Sequence, residues 1–502
     1  MPRPNILLLL TDSQQADTVA PASQCQMPNV AQFCREGTRF DRCYTASPIC
    51  SPSRATLMSG VLPHNHGVVR NSHVVESHRS GLLDDVTLWS EVLADAGYRL
   101  GYFGKWHVER SGELDRFGFD EHEIHGSNAY RDGYTDHRTA RGLSEWPDRS
   151  PSSLQRSRTV SGEGYEDQLL YGTHDEPEGT RAHYTYSRGI EFIRAAADRS
   201  EPWCATISTA APHDPFLAPA STSEQYDPGA LSLPANVDDE MADRPDLYPR
   251  LPPVWADLSR AEFREALAHY YAYCTHLDEQ VGRVRAALAE TGQLEDTLVV
   301  YASDHGDLMT AHGLFAHGFT AFEEIYRAPL VVRWPGVGAD GAVCADPVQL
   351  HDVGPTLCDV ADAGPFPPEQ NEVSPHPRAD DEPGYETYGA QSLVPFLRGE
   401  RPPGYRPEAY AEYEGDSFGL TQRVYWDDRS KYVFNPYATD ELYDLEQDPG
   451  ETTNLAEADR DRVRAMAERM WEIAADTGDA TITENHYWLN RHAPVGPRGR
   501  EE

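Results

Sequence analysis

The chain predicts an α/β fold, a sandwich around a mostly parallel sheet, with a small α+β subdomain at its C-terminal end. Short apolar runs alternate with helical patterns through the first 360 residues. Those runs are near-continuously apolar, as strands covered on both faces must be. Past residue 390 the pattern changes to closely spaced strands and then one helix. Strand–helix alternation favours a parallel sheet with helices on its faces, and closely spaced strands favour an antiparallel one.

The first strand is Ile6-Leu7-Leu8-Leu9-Leu10, ended by Thr11-Asp12. It is too short for a signal-peptide core and has no small-residue cleavage site, so it reads as a buried strand and the protein as cytoplasmic. Residues 99–103, 203–208, 297–302 and 329–333 are further buried strands, while 88–96, 184–197, 259–289 and 352–361 carry helical spacing. Residues 110–183 are rich in Gly, Ser, Tyr and charge and read as an insertion over the site. The expected organisation is a large domain over 1–362, a Pro/Glu/Asp-rich linker or surface excursion over 363–390, a subdomain over 391–485 and a tail over 486–502. In that subdomain 408–413, 421–426 and 431–435 suggest a small antiparallel sheet, and 459–477 a final helix.

Net charge is −39, from 82 acidic and 43 basic residues, and only Lys105 and Lys431 among the latter are lysine. So acidic a surface suits neither nucleic acid nor an anionic membrane. It matches the composition of halophilic proteins, whose self-repulsion concentrated salt screens. The eight cysteines show no paired metal spacing and suggest no disulfide scaffold. Seven read as small buried residues, and Cys50 stands apart by its context.

That context is Cys50-Ser51-Pro52-Ser53-Arg54, continuing to Ser59-Gly60. Ser51 suits a helix cap, Pro52 a first helical position and Gly60 a left-handed exit. A thiol at such a helix mouth faces unpaired N–H groups and the positive end of the dipole, a setting for a tetrahedral oxyanion. Four further candidates follow strands, where chemistry gathers in open α/β sheets. Asp12 ends the first strand; a lone aspartate there is usually a turn former. Ser303-Asp304-His305-Gly306-Asp307 is sharper, because adjacent carboxylate and imidazole suit a divalent cation. Gly104-Lys105-Trp106-His107 retains a lysine in a chain that has nearly discarded the type, so this compact ammonium does what a guanidinium cannot. Pro212-His213-Asp214-Pro215 brackets a histidine with prolines, which restrict the backbone and aim the ring.

Together, in this order, these elements resemble the type I sulfatases, of alkaline phosphatase-like fold. Pro28-Asn29, Glu36-Gly37-Thr38-Arg39-Phe40, the run Ala321 to Leu330, Asp352-Val353-Gly354-Pro355-Thr356-Leu357 and Glu441-Leu442-Tyr443-Asp444-Leu445 extend the resemblance over nearly the whole chain. The resemblance implies that a formylglycine-generating enzyme converts Cys50 to formylglycine, whose hydrate attacks sulfur. It implies one divalent cation, Ca²⁺ first and Mg²⁺ or Mn²⁺ next, on Asp12, Asp304, His305 and the modified position 50. It gives Arg54 a part in activating the nucleophile, Lys105 contact with the sulfate, and His107 the proton taken during turnover. His213 assists the departing alcohol oxygen. The substrate would be a sulfate ester of a small molecule or carbohydrate.

Two positions depart from the family. Asp12-Ser13 stands where many relatives have Asp-Asp or Asp-Gln, so Ser13, Gln14 or a water must complete the metal site. In Gly313-Leu314-Phe315-Ala316-His317-Gly318, His317 replaces the usual lysine, and the expectation is a more acidic pH optimum or a narrower leaving-group range. Phosphonate monoester and phosphodiester hydrolases of the same superfamily share the nucleophile and the Asp-His pair and are the alternative. A catalytically silent binding homologue is the third reading.

Overall fold

The computed structural model describes residues 3–73, 81–145, 153–161, 168–318, 320–367, 388–402, 404–416, 420–436 and 438–483. The tail over 486–502 and most of the 363–390 segment lie outside the described residues. The first strand, Asn5–Asp12, is the middle of an eight-stranded sheet. It pairs in parallel with Thr297–Ser303 on one side and Trp203–Pro212 on the other. Arg99–Gly104 and then Glu121–Ile124 continue the sheet in parallel. Beyond Thr297–Ser303 the strands Leu330–Arg333 and Thr38–Phe40 run antiparallel to their inner neighbours, and Ala342–Cys344 closes that edge.

Side chains alternate across the sheet with period two. Leu7 and Leu9 join a core beneath helices Pro28–Glu36, Arg181–Ala196 and Arg260–Glu290. Ile6, Leu8 and Leu10 join a second core beneath Cys50–Ser59, Trp89–Asp95 and Val353–Val360. The long helix starts with a reciprocal cap between Ser259 and Glu262. No helix among the described residues is long and apolar enough to cross a membrane.

The C-terminal sheet runs Ala409–Tyr413, Gln422–Trp426, Ser430–Phe434, Glu441–Asp444, all antiparallel. Helix Arg460–Thr477 covers one face, through Met466, Met470 and Trp471 against Tyr425, Tyr432 and Phe434. The other face, with Ala411, Val424 and Trp426, packs on Tyr44, Phe322 and Tyr326 of the large domain.

The structure corrects several expectations. Residues 121–124 are an edge strand of the main sheet rather than insertion, because pairing on Gly101–Gly104 satisfies their backbone despite a polar sequence. The rest of the insertion contains helix Asn128–Thr139 and strands Gln155–Val160 and Gln168–His174, the latter pairing with Phe216–Pro219. Phe366, at the start of the expected linker, is buried against Gly60 and Gly354. Ser51 does not cap its helix: the helix begins at Cys50 after an extended Ile49, and Pro52 is its third residue. Ser51 Oγ instead accepts from Ser72 N at 3.0 Å. Gly60 does exit left-handed, at φ 72°, its N–H donating to Thr56 O. All eight cysteines are free, and Cys34 alone of the seven read as buried is partly exposed.

Candidate active site

Parallel pairing aligns the strand ends. Thr11 sits beside Ser303, Asp12 beside Pro212 and Gly104 beside Ser208, so the residues that follow converge on one edge. The helix Cys50–Ser59 brings its first turn to the same place. Ligand atoms of Asp12, Cys50, Asp304 and His305 all lie within 4.8 Å of one another, and the four residues are buried. His305 Nε2 is 3.3 Å from Cys50 Sγ, and Sγ is 3.7 Å from Asp12 Oδ1. His305 Nδ1 lies 2.8 Å from Gly306 O, an acceptor, which gives Nδ1 a proton and turns Nε2 into the cluster.

Arg54 is the clamp. Its Nε donates to Asp304 Oδ2 at 2.7 Å and Nη2 to Asp12 Oδ2 at 3.0 Å, while Nη1 donates to Ser208 Oγ at 2.8 Å and Lys105 O at 3.0 Å. Guanidinium planarity thus sets the two carboxylates relative to each other and to the lysine loop. Lys105 Nζ makes a short ion pair with Asp12. The lysine loop presses close to its neighbour: a Cβ on Gly104 would lie 1.9 Å from Ser208 O, and its φ is +103°. Only glycine fits there. His107 has φ +51° and packs on His73, Nε2 lying 3.1 Å from His73 Nδ1. His213 Nδ1 is 3.0 Å from Asp214 Oδ1, which leaves Nε2 for the site. The His317 ring lies 4.1 Å from that of His305 and 5.3 Å from that of His213.

Burial and the Cys50 thiol both disfavour an ionised Asp12, yet Lys105 and Arg54 outweigh them and hold its carboxyl well below the usual carboxylate range. Burial opposes a Cys50 thiolate, but Lys105, His305 and His107 pull the thiol far down. His107 is pushed down by burial, so it is neutral near pH 7. For His213 burial is outweighed by Asp214 and Asp12, raising it to about 11. Burial also disfavours charge on His305, but Asp304 and Cys50 raise it to about 9, so near pH 7 Nε2 carries a proton toward the Cys50 sulfur, which a cation bound there would displace.

The structure therefore gathers Asp12, Cys50, Arg54, Lys105, His107, His213, Asp304, His305 and His317 at one sheet edge. Ser13 donates through its N–H to Asp304 Oδ1 and through Oγ to Asp12 Oδ1, both at 3.2 Å. Gln14 does not swing in: its side chain bonds Thr11, Thr18 and Tyr301 inside the core. Sequence reasoning missed Ser208 and Tyr102, which with Arg54 donate to the Lys105 carbonyl and fix that loop. Lone residues inside apolar strands give no signal for such a role. A polar cavity of about 510 Å³ opens on Lys105 and His213 and is walled by His125, His174, Asp175 and Arg181, partly from the insertion.

An α/β sandwich with a thiol at a helix tip, facing two carboxylates and an imidazole at the ends of parallel strands, has the layout that the resemblance to hydrolases of the alkaline phosphatase superfamily implies. The sulfatase family model matches residues 4–363, and that for the N-sulphoglucosamine sulphohydrolase C-terminal region matches residues 310–476. The uncharacterized sulfatase YidJ of Escherichia coli is 30% identical over 91% of this chain and 83% of its own. The choline-sulfatase of Rhizobium meliloti is 29% identical over 96% of this chain and 89% of its own. Among solved structures, the phosphonate monoester hydrolase of Agrobacterium radiobacter superposes with a TM-score of 0.76 at 25% identity, covering 95% of this chain and 96% of that one. The chain belongs to the sulfatase family. It is a hydrolase acting on sulfuric esters.

Proposed function

We propose that Cys50 is matured to formylglycine and that the protein hydrolyses sulfate monoesters through it, with one divalent cation held by Asp12, Asp304 and His305 beside position 50. The convergence of these four buried residues within 4.8 Å carries the reading. The donor set fits such an ion: two buried carboxylates and an imidazole whose Nε2 is turned into the cluster are ligands for Ca²⁺, Mg²⁺ or Mn²⁺, the cation taking the place of the Nε2 proton. A cation there supplies positive charge that favours a deprotonated hydroxyl at position 50 and offsets charge on the sulfuryl oxygens. A hydrated aldehyde at position 50 supplies the oxygen nucleophile and, unlike serine, can later release sulfate by C–O cleavage.

The other side chains have roles that follow from their places. Arg54 holds Asp12 and Asp304 in register. Lys105, charged beside Asp12, gives the sulfuryl group a compact positive partner. His213 stays protonated against Asp214 and donates from Nε2 to the departing alcohol oxygen. His317, in ring contact with both His213 and His305, is the second donor on that side. His107, kept neutral by burial, takes the proton released as sulfate leaves. The ester enters through the polar cavity above Lys105 and His213.

Peptide mass spectrometry of protein from its native host tests the first claim. The expected result is a residue at position 50 lighter than cysteine by one sulfur-for-oxygen exchange and two hydrogens. An intact thiol in protein that hydrolyses no sulfate ester would sink it and favour a binding homologue. The likeness to a phosphonate monoester hydrolase motivates parallel assays with aryl sulfate and aryl phosphonate esters, in which sulfate is expected to have the higher kcat/KM. The reverse order would move the assignment to phosphonates. For His317→Lys we expect the pH–rate profile to shift to higher pH; an unchanged profile would remove His317 from the leaving-group side.

A further inference from the structure

A second hollow lies beside the reaction centre, and the mechanism above does not use it. It measures about 230 Å³ and is lined mainly by apolar side chains, among them Phe216, Trp255, Leu308 and Phe315. Asp214 lines both this hollow and the polar cavity, so the two meet at the residue bonded to His213. The wall is built from the flanks of the catalytic segments. Phe216 follows the His213 segment, Leu308 follows Asp307, and Ala316 precedes His317.

The loop that carries this wall is held in an unusual shape. Met309, Thr310, His312 and Ala316 all have left-handed φ without being glycine, at 38°, 76°, 51° and 71°. Such conformations persist only where the surroundings impose them, and they gather at functional sites. Here Asp307 Oδ1 accepts from Met309 N at 2.9 Å and Ala316 N at 3.2 Å, while Leu308 N donates to Ala316 O. The turn at Ala316 sends its two neighbours opposite ways. Phe315 stacks edge-on to Trp255 at 4.8 Å in the hollow, and His317 packs on His305 in the centre.

We infer that this hollow receives an apolar group of the ester's alcohol, so that the preferred substrates are sulfate monoesters of hydrophobic, alkyl- or aryl-bearing alcohols. The inference rests on the proposed function, which puts the departing alcohol at His213 and His317, whose chain neighbours Asp214 and Ala316 line the hollow. Its volume is below that of pockets that hold drug-sized ligands, which suits one apolar arm. Burying a methylene there is worth a rate factor, because hydrophobic transfer scales with the area removed from water.

The test is a series of linear alkyl sulfates from ethyl to octyl, below micellar concentration, on metal-replete protein whose aldehyde at position 50 has been verified. The alcohols differ little in acidity, so chain length isolates binding. We expect kcat/KM to rise roughly three- to fourfold per methylene over the first several carbons and then level off. Trp255→Ala, at a partly exposed position, is expected to flatten that rise through KM while ethyl sulfate turnover stays unchanged. A flat wild-type series with measurable ethyl or aryl sulfate hydrolysis overturns the hollow's role and leaves the sulfatase reading standing. Verified, metal-replete protein that cleaves no sulfate ester overturns both.

Discussion

Among the buried clusters of arginine, histidine and carboxylate in the described residues, the one at the reaction centre and the one at the subdomain junction use the same groups to opposite ends. At the reaction centre Arg54 clamps Asp12 and Asp304, and His305 turns Nε2 toward Cys50, where its proton can give way to a cation. At the junction with the C-terminal subdomain Arg423 bonds Glu414 and Asp479, and His64 joins Glu412. His64, Glu412 and Asp479 are close enough together to resemble a metal site. But His64 Nδ1 lies 2.8 Å from Glu412 Oε1 and Nε2 lies 3.0 Å from Thr477 O, both acceptors. Both nitrogens must therefore donate, the ring is an imidazolium, and no lone pair is left for a cation. The lesson is that proximity of ligand types does not make a metal site; a ring nitrogen not spent on a fixed oxygen acceptor does.

The two lysines repeat the contrast. Lys105 makes one ion pair with Asp12 and still lines the polar cavity. Lys431 is fully buried, donates to Ala321 O at 2.6 Å, pairs with Glu451 and lies over the Trp426 and Tyr443 rings. One ammonium has donor capacity facing the substrate side; the other fastens the subdomain to the large domain.

The sharpest way to break this comparison is to load and strip metal. Elemental analysis is expected to find one divalent ion in the wild type and none in Asp304→Asn, whose kcat/KM is expected to fall by roughly 10⁴-fold. His64→Gln should keep both metal and rate, and loss of metal there would erase the distinction drawn above. Lys105→Arg comes next, with an expected fall in kcat of about 10²–10³-fold at unchanged thermal stability, since a forked cation cannot replace a point charge. Lys431→Met should do the opposite. It leaves Glu451 buried without its partner, and denaturant titration should show a loss of about 3–5 kcal/mol while kcat of the folded fraction is retained.

The smallest effect is a pH dependence of stability. Burial disfavours charge on His64, but Glu412 overrides it and raises its pKa from 6.5 to about 9. A group raised on folding stabilises fully below its unfolded pKa and loses that contribution as pH rises through the folded value. Stability should therefore fall between about pH 6.5 and 9 by up to about 3 kcal/mol, and His64→Gln should flatten that slope in urea titrations. An identical slope in the variant would assign the effect to another group.

Much of this was legible in the chain because strong local signals coincided. The run Ile6 to Leu10 can only be a strand buried on both faces, and the residue that ends it is an aspartate at a strand tip. Cys50, Lys105, His213 and Asp304 carried enough local context to be singled out, and the structure brings them to one edge. Three things were not legible. The helix cap was misplaced because Ser51 has a tertiary partner in Ser72, which local capping preference cannot anticipate. Strand Glu121–Ile124 lacks apolar alternation and exists through its pairing with Arg99–Gly104. Ser208 and Tyr102 are ordinary strand residues until the fold points their hydroxyls at the Lys105 carbonyl.

From its sequence alone the protein's α/β class, the order of its main strands and helices and the candidate residues that converge at the site could be stated, because periodicity and motif chemistry are local properties. Which clusters can bind and which are merely neutralised was decided by tertiary structure. That difference lies in where each ring nitrogen and each ammonium proton is directed, and residues brought together from 42 to more than 400 positions apart largely determine it.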